Sequence, residues 1–130
     1  MMTLKIISLS ACEIRDTGLF KVDLNKLPLP SNFVCKDHVL ISLPPKQIGG
    51  NHKHPRREIF FSLSDSLEFY WEDEDKKIHS SPMKQGNKLY LIDVYPYVPH
   101  AVVNRSDKEA MLIEFADSHQ YDVIRHIIVS

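Results

Sequence analysis

Cysteine is scarce in this chain of 130 residues: Cys12 and Cys35 stand far apart, with no C-x-x-C pair. That spacing argues against a disulfide framework or a cysteine-based zinc site, and the two thiols are expected to be reduced, buried and unpaired. Charge of one sign is lacking as well. Sixteen basic residues against seventeen acidic ones leave a net charge of −1. Without a basic stripe to match a phosphate backbone, nucleic acid is not an expected partner. No apolar run approaches the roughly 18 residues that a membrane span requires. The apolar stretch near the N-terminus is short and runs directly into Glu13, Arg15 and Asp16, unlike a signal peptide. The expectation is a cytoplasmic protein with no membrane partner.

A long, capped amphipathic helix is also missing. What is present is a series of short runs rich in Val, Ile, Phe and Tyr, punctuated by Pro, Gly, Asn and Asp, the pattern of many short strands. Residues 4–9 and 19–24 read as outer strands, and residues 27–32, Leu-Pro-Leu-Pro-Ser-Asn, as a proline-broken connector. Residues 33–43 alternate as a strand that ends at Pro44-Pro45 and Gly49-Gly50. Residues 58–63 and 67–72 face each other across Ser64-Asp65-Ser66 as a hairpin candidate. The charge run from Glu72 to Lys77 reads as a solvated turn into a strand near Ile78. Residues 89–94, 101–103 and 110–116 are further strands, while residues 123–129 fit both a strand and a short helix. The length and the lack of a linker or repeat point to one domain over residues 1–130, of the all-β class, a sandwich or barrel.

The chemistry concentrates in His52-Lys53-His54-Pro55-Arg56-Arg57-Glu58 and, much later, His100-Ala101-Val102-Val103-Asn104. Two histidines at i and i+2 share one face of a strand, because side chains alternate with period two. Glu58 rejoins that face if the chain turns at Pro55, and His100 adds a third imidazole from a distant strand. Three neutral imidazoles and one carboxylate suit a first-row divalent metal and leave positions for water or substrate. The expected metal ligands are therefore His52, His54, Glu58 and His100. His38, His79, His119 and His126 have no such pattern.

Those two segments resemble the paired motifs of the cupin superfamily. The first family motif runs glycine, H-x-H, three or four residues, Glu, six residues, Gly; His52, His54 and Glu58 match, and Asp65 stands at the closing glycine. The second has a proline-rich approach and H-x-x-x-N, matched by Pro96, Pro99, His100 and Asn104, with Tyr97 where a glycine is usual. The resemblance covers about residues 34–116. It implies a six- to eight-strand cupin-type jelly-roll β-barrel (a double-stranded β-helix) with little helix and one divalent ion inside, iron, nickel, manganese or zinc.

Parity then extends the site. If Glu58 points inward, Phe60 and Ser62 share its face while Ile59 and Phe61 face the other way, and Val102 shares the face of His100. Asn104 is expected to secure the following turn instead of binding metal. Arg56, Phe60, Trp71, Tyr97 and Val102 are the substrate-binding candidates, and Tyr95, Tyr97 and Glu114 are the candidates to move a proton. The resemblance implies a metal-dependent enzyme, isomerase-, epimerase- or dioxygenase-like, acting on a small oxygen-rich metabolite such as a sugar, sugar phosphate or keto acid. The alternative is a non-catalytic cupin that binds or senses metal and ligand. A homodimer is expected, with residues 4–9 and 123–129 covering a neighbour's sheet edges.

Overall fold

A strand with apolar side chains on both faces must lie between two layers. Glu58–Phe61 is such a strand, buried along its whole length, and the rest of the chain is arranged around it. The computed structural model describes residues 4–10 and 13–130. In chain order the strands are β1 (Leu4–Ser10), β2 (Glu13–Ile14), β3 (Phe20–Lys21), β4 (Asp37–Leu43), β5 (Ile48–Lys53), β6 (Glu58–Phe61) and β7 (Leu67–Glu72). They continue as β8 (Ile78–Pro82), β9 (Lys84–Gln85), β10 (Lys88–Val94), β11 (His100–Asn104), β12 (Ala110–Ala116) and β13 (Ile124–Arg125). A 3-10 turn at Leu24–Lys26, capped by the Asp23 carboxylate accepting from the Asn25 N–H, is the helical element among the described residues.

Two antiparallel sheets make the barrel. One has the order β1-β10-β6-β12-β4, with β9 beside β10, and the other the order β13-β5-β11-β7-β8. Their inward side chains, among them Leu43, Phe60, Phe69, Ile92, Val102 and Leu112, form the interior core. A second core lies on the outer face of the first sheet, where Phe33, Ile59, Phe61, Leu91 and Phe115 are covered by Leu27 and Leu29 of the proline-broken connector. Phe60 inside with Ile59 and Phe61 outside is the parity that the sequence predicts. The fold is the all-β jelly roll of the cupins. No helix among the described residues is long and apolar enough to cross a membrane.

Several local expectations are corrected. β6 and β7 do not form a hairpin: β6 pairs with β10 and β12, and β7 with β11 and β8. Both edges of β6 are already taken, so the chain crosses to the opposite sheet through Ser64 and Ser66, whose hydroxyls meet at 2.8 Å. The charge run does form a hairpin turn between β7 and β8, held by Asp73 Oδ1, which accepts from the N–H groups of Asp75 and Lys77. Gly49 and Gly50 lie inside β5 and do not end a strand. In residues 19–24 only Phe20–Lys21 is strand, because Asp23 starts the 3-10 turn. Residues 123–129 are neither a full strand nor a helix: β13 is two residues long, and Ile128 and Val129 beyond it are held by hydrogen bonds to the Asn51 side chain. Asp65 is not in the left-handed region. Cys35 is free and half-buried, and Cys12 lies outside the described residues.

The two sheet cores are tied by an ion pair. Asp93 is fully buried, and Arg57 grips it with two parallel hydrogen bonds, Nε to Oδ1 at 2.8 Å and Nη2 to Oδ2 at 2.7 Å. The guanidinium also lies over the Tyr95 ring, 4.8 Å from its centre, and Nη1 donates to Asn32 in the connector. Removing the cation would leave the Asp93 charge buried and unpaired, which costs about 3–5 kcal/mol in such settings. Arg57→Ala is therefore expected to lose stability of that order in urea unfolding; a loss below about 1 kcal/mol, typical of exposed pairs, would refute the arrangement.

Candidate metal centre

His52 faces the barrel interior because β5 carries one extra residue. Along β11 the register runs Val103↔Ile48, Val102↔Gly49, Ala101↔Gly50, then jumps to His100↔His52. Asn51 is the unpaired residue of a β-bulge, and Gly50 and Asn51 both have positive φ, 86° and 57°. A side chain at Gly50 would put its Cβ 2.9 Å from the His100 carbonyl oxygen, so only glycine allows this approach. Without the bulge, period-two alternation would turn His52 to the outer face. His54 lies just past the end of β5, and its carbonyl accepts from the Tyr97 N–H at 2.8 Å, tying the first motif to the second. Tyr97 takes φ 64°, the conformation that the absent glycine would favour.

The three imidazoles form a nearly equilateral triangle. Ring centres lie 5.0 Å (His52–His54), 4.9 Å (His52–His100) and 5.1 Å (His54–His100) apart, and the potential ligand atoms all fall within 4.8 Å of one another. His100 Nδ1 is 2.8 Å from the Val98 carbonyl, which can only accept. The proton therefore sits on Nδ1, and Nε2 presents its lone pair to the cluster. Phe69 stacks on the His100 ring at 5.9 Å and fixes its plane.

Glu58 supplies the carboxylate side. Its Oε1 is 2.8 Å from His54 Nε2 and 3.2 Å from His100 Nε2. At the angles found, neither approach is a hydrogen bond, so His54 Nδ1 and Nε2, Glu58 Oε1 and His100 Nε2 are buried polar atoms without partners. Buried polar groups are nearly always paired. Buried ring nitrogens and a carboxylate oxygen that converge without partners in an apolar barrel are an arrangement that a divalent cation satisfies, and the His52–His54–His100 cluster could hold one.

Charge is arranged in layers behind these atoms. The Glu58 carboxyl is held well below the usual range: burial opposes ionisation, but the close polar contacts of His100, His54 and Glu114 outweigh it. Its other oxygen, Oε2, accepts from Arg56 Nε at 2.9 Å and lies 2.8 Å from Nη2. Arg56 also donates from Nη2 to Glu114 Oε1 at 2.9 Å and from Nη1 to Asp37 and the Ser118 carbonyl. Its guanidinium is thus held by Glu58, Glu114, Asp37 and the Ser118 carbonyl. Burial, and then the Glu58 carboxylate, push the Glu114 carboxyl up to about 8, against the pull of Arg56. Burial, then His100 and His54, lower His52 to about 4.

The cluster opens onto a cavity of about 220 Å³ with apolar walls that include Phe60, Phe69, Val102 and Leu112, and with Glu114 and Gln120 as polar groups beside the histidines. Of the residues singled out in the sequence, the structure brings His52, His54, Glu58 and His100 together, and places Phe60, Val102 and Glu114 at the cavity. It does not bring the others there. Arg56 is buried among Glu58, Glu114 and Asp37 and does not line the cavity. The Trp71 ring stacks on His79, Tyr95 packs under Arg57, and Tyr97 is exposed on the surface. Asn104 anchors its turn as expected, its amide donating to the carbonyls of Leu43, Pro44 and Lys108. Phe69 and Gln120 escaped sequence reasoning. Phe69 was within reach, since it alternates with Leu67 and Trp71, whereas Gln120 sits in a polar stretch with no pattern.

Barrel and cluster together define a cupin-fold protein with a three-imidazole site on its inner wall. No protein-family model and no curated protein sequence matches this chain. Solved structures do. The QdtA 3,4-ketoisomerase of Thermoanaerobacterium thermosaccharolyticum, as a point mutant in complex with TDP-4-keto-6-deoxyglucose, superposes with a TM-score of 0.71 at 14% identity, over 97% of this chain and 89% of that one. A 3,4-ketoisomerase from Helicobacter canadensis gives 0.70 at 20% identity, over 96% and 92%. The capsular polysaccharide assembling protein CapF of Staphylococcus aureus gives 0.61 at 20% identity over 70% of this chain, which spans only 28% of CapF. At these identities the shared property is the fold.

Two measurements check the centre. Protein purified without a nickel column is expected to carry one divalent metal per chain by elemental analysis, and His54→Ala with His100→Ala to carry none; undiminished occupancy in the double variant would sink the assignment. In the metal-free protein, NMR titration is expected to find His52 neutral at pH 5, with its midpoint near 4. A midpoint at the ordinary value of 6.5 would mean that the imidazole is not buried among its neighbours.

Proposed function

We propose that this chain is a metal-dependent cupin that isomerises a keto sugar at the His52–His54–His100 centre, with Glu58 as the fourth ligand. The observation that carries the reading is the three-imidazole cluster, with buried ring nitrogens and Glu58 Oε1 lacking partners, beside an apolar cavity. A divalent ion there would act as a Lewis acid, polarising a carbonyl or hydroxyl oxygen of the substrate. Four protein ligands leave one or two positions of a five- or six-coordinate iron, nickel, manganese or zinc ion for that purpose.

The substrate class draws its support from chemistry and from the neighbours in structure, which are 3,4-ketoisomerases of TDP-linked sugars. Moving a carbonyl to the adjacent carbon requires a proton to leave one carbon and another to arrive at its neighbour. Glu114 is the proposed carrier, supported by its position on the cavity wall outside the histidine cluster and by the Arg56 hydrogen bond to its carboxyl. Phe60, Phe69, Val102 and Leu112 keep bulk water away from the reacting carbons and lower the local dielectric, which strengthens every charge interaction within.

Metal-loaded protein incubated with TDP-4-keto-6-deoxyglucose in D2O is expected to exchange the proton at C3 and to yield the 3-keto isomer, both monitored by NMR. Glu114→Gln is expected to retain metal and sugar but to slow exchange by about 10²-fold or more, the usual contribution of a positioned acid–base group. Binding with no exchange would leave the non-catalytic, ligand-holding module as the reading. No binding would remove the sugar.

A further inference from the structure

Beside the cavity lies a groove built on the C-terminal segment. β13 pairs with β5 through Ile124↔Lys53 and Arg125↔His52. Residues directly opposite in an antiparallel pair point to the same face, so Arg125 projects on the side of His52. Both line an open groove of about 550 Å³ that adjoins the metal cavity, Gly50 and His52 being common to the two. Val123, Ile127 and Val129 give the groove an apolar flank.

The segment carrying Arg125 is fixed in place. Asn51, the bulge residue, accepts through Oδ1 from the N–H groups of Ile128 (3.0 Å) and Val129 (3.1 Å), and donates from Nδ2 to the Val129 carbonyl (2.9 Å). Its main-chain carbonyl accepts from the His126 N–H at 2.8 Å, and His126 Nε2 meets the Glu72 carboxylate at 2.8 Å. Arg125 itself is exposed, and among the described residues no acceptor engages its guanidinium. Other arginines near the barrel are occupied: Arg56 and Arg57 are taken up by carboxylates, and Arg105 by the Tyr70 hydroxyl.

We propose that Arg125 is an oxyanion subsite, receiving the carboxylate or phosphate of a ligand whose other end occupies the histidine cluster. The inference rests on the metal-centre reading above and names the part of the ligand that lies outside the metal cavity. A guanidinium is suited to that part because its planar fork matches carboxylate and phosphate oxygens two at a time.

The test uses the metal-loaded protein and three chelators that share one metal-binding head: acetohydroxamate, succinic monohydroxamate with a distal carboxylate, and 3-phosphonopropanohydroxamate with a distal phosphonate. By calorimetry, at least one anionic probe is expected to bind the native protein about tenfold more tightly than acetohydroxamate, the scale of one charge-assisted contact. In Arg125→Gln that preference should vanish while acetohydroxamate affinity is unchanged. The tighter of the two anionic probes identifies which oxyanion the subsite takes. Equal binding of all three probes by the native protein, or a preference that survives in Arg125→Gln, overturns the proposal. If acetohydroxamate binds neither protein, the metal reading fails. Arg125 is then judged with inorganic pyrophosphate: binding lost in Arg125→Gln supports the subsite, and equal binding or none refutes it.

Discussion

The organisation of this site depends on parity within β5. A strand offers its side chains alternately to two faces, and one inserted residue exchanges the faces of everything beyond it. Gly50 and Asn51 make that insertion opposite the step from His100 to Ala101. One irregularity has two results. His52 is delivered to the interior, beside His100 and His54, and Asn51 is left free of the ladder to bind the returning C-terminal segment. The histidine-lined cavity and the outer groove are therefore two products of the same distortion, at the cost of a positive φ at a non-glycine residue.

The ionic layer behind the histidines answers a different constraint. An apolar barrel disfavours isolated charge, and a carboxylate placed there needs several hydrogen bonds to remain ionised. Arg56 adds one to Glu58, beside the polar contacts of His100, His54 and Glu114, and in doing so becomes a structural cation instead of a ligand-binding one. It joins Glu58 on β6, Glu114 on β12 and Asp37 on β4, three strands of the first sheet. Glu114, which shares this cation with a stronger acid, is the member that retains its proton. The same network thus holds one carboxyl charged and its neighbour neutral within a few ångströms.

Much of this was legible in the sequence. The alternation of residues 58–62 assigned Phe60 and Ile59 to opposite faces, and the paired cupin-like motifs picked out His52, His54, Glu58 and His100, although the bulge that turns His52 inward left no trace in the spacing. What periodicity does not reveal is a strand's partner. Residues 58–63 and 67–72 look like a hairpin locally, yet the edges of β6 are filled by β10 and β12 from far along the chain. Arg56 was singled out because it sits inside the motif, whereas the groups that consume it, Asp37, Glu114 and the Ser118 carbonyl, are distant in sequence. Arg125 was overlooked because residues 123–129 carry no decisive period. Tyr97 is the complementary case. The missing glycine was a departure in sequence, but the backbone takes the left-handed turn regardless, supported by the hydrogen bond to His54.

Glu58 also limits how the centre can move. A carboxylate on a free tether can swing between one- and two-oxygen attachment to a cation, changing the number of bonds as reactants come and go. Here Oε2 is held by Arg56, itself clamped on every side, and only Oε1 faces the imidazoles. If Glu58 were to ligate an ion, it would do so through one oxygen only. Were an ion held here, any open position would have to come from an exchanging solvent or ligand atom on the cavity side, because the side chains that would hold it are themselves fixed.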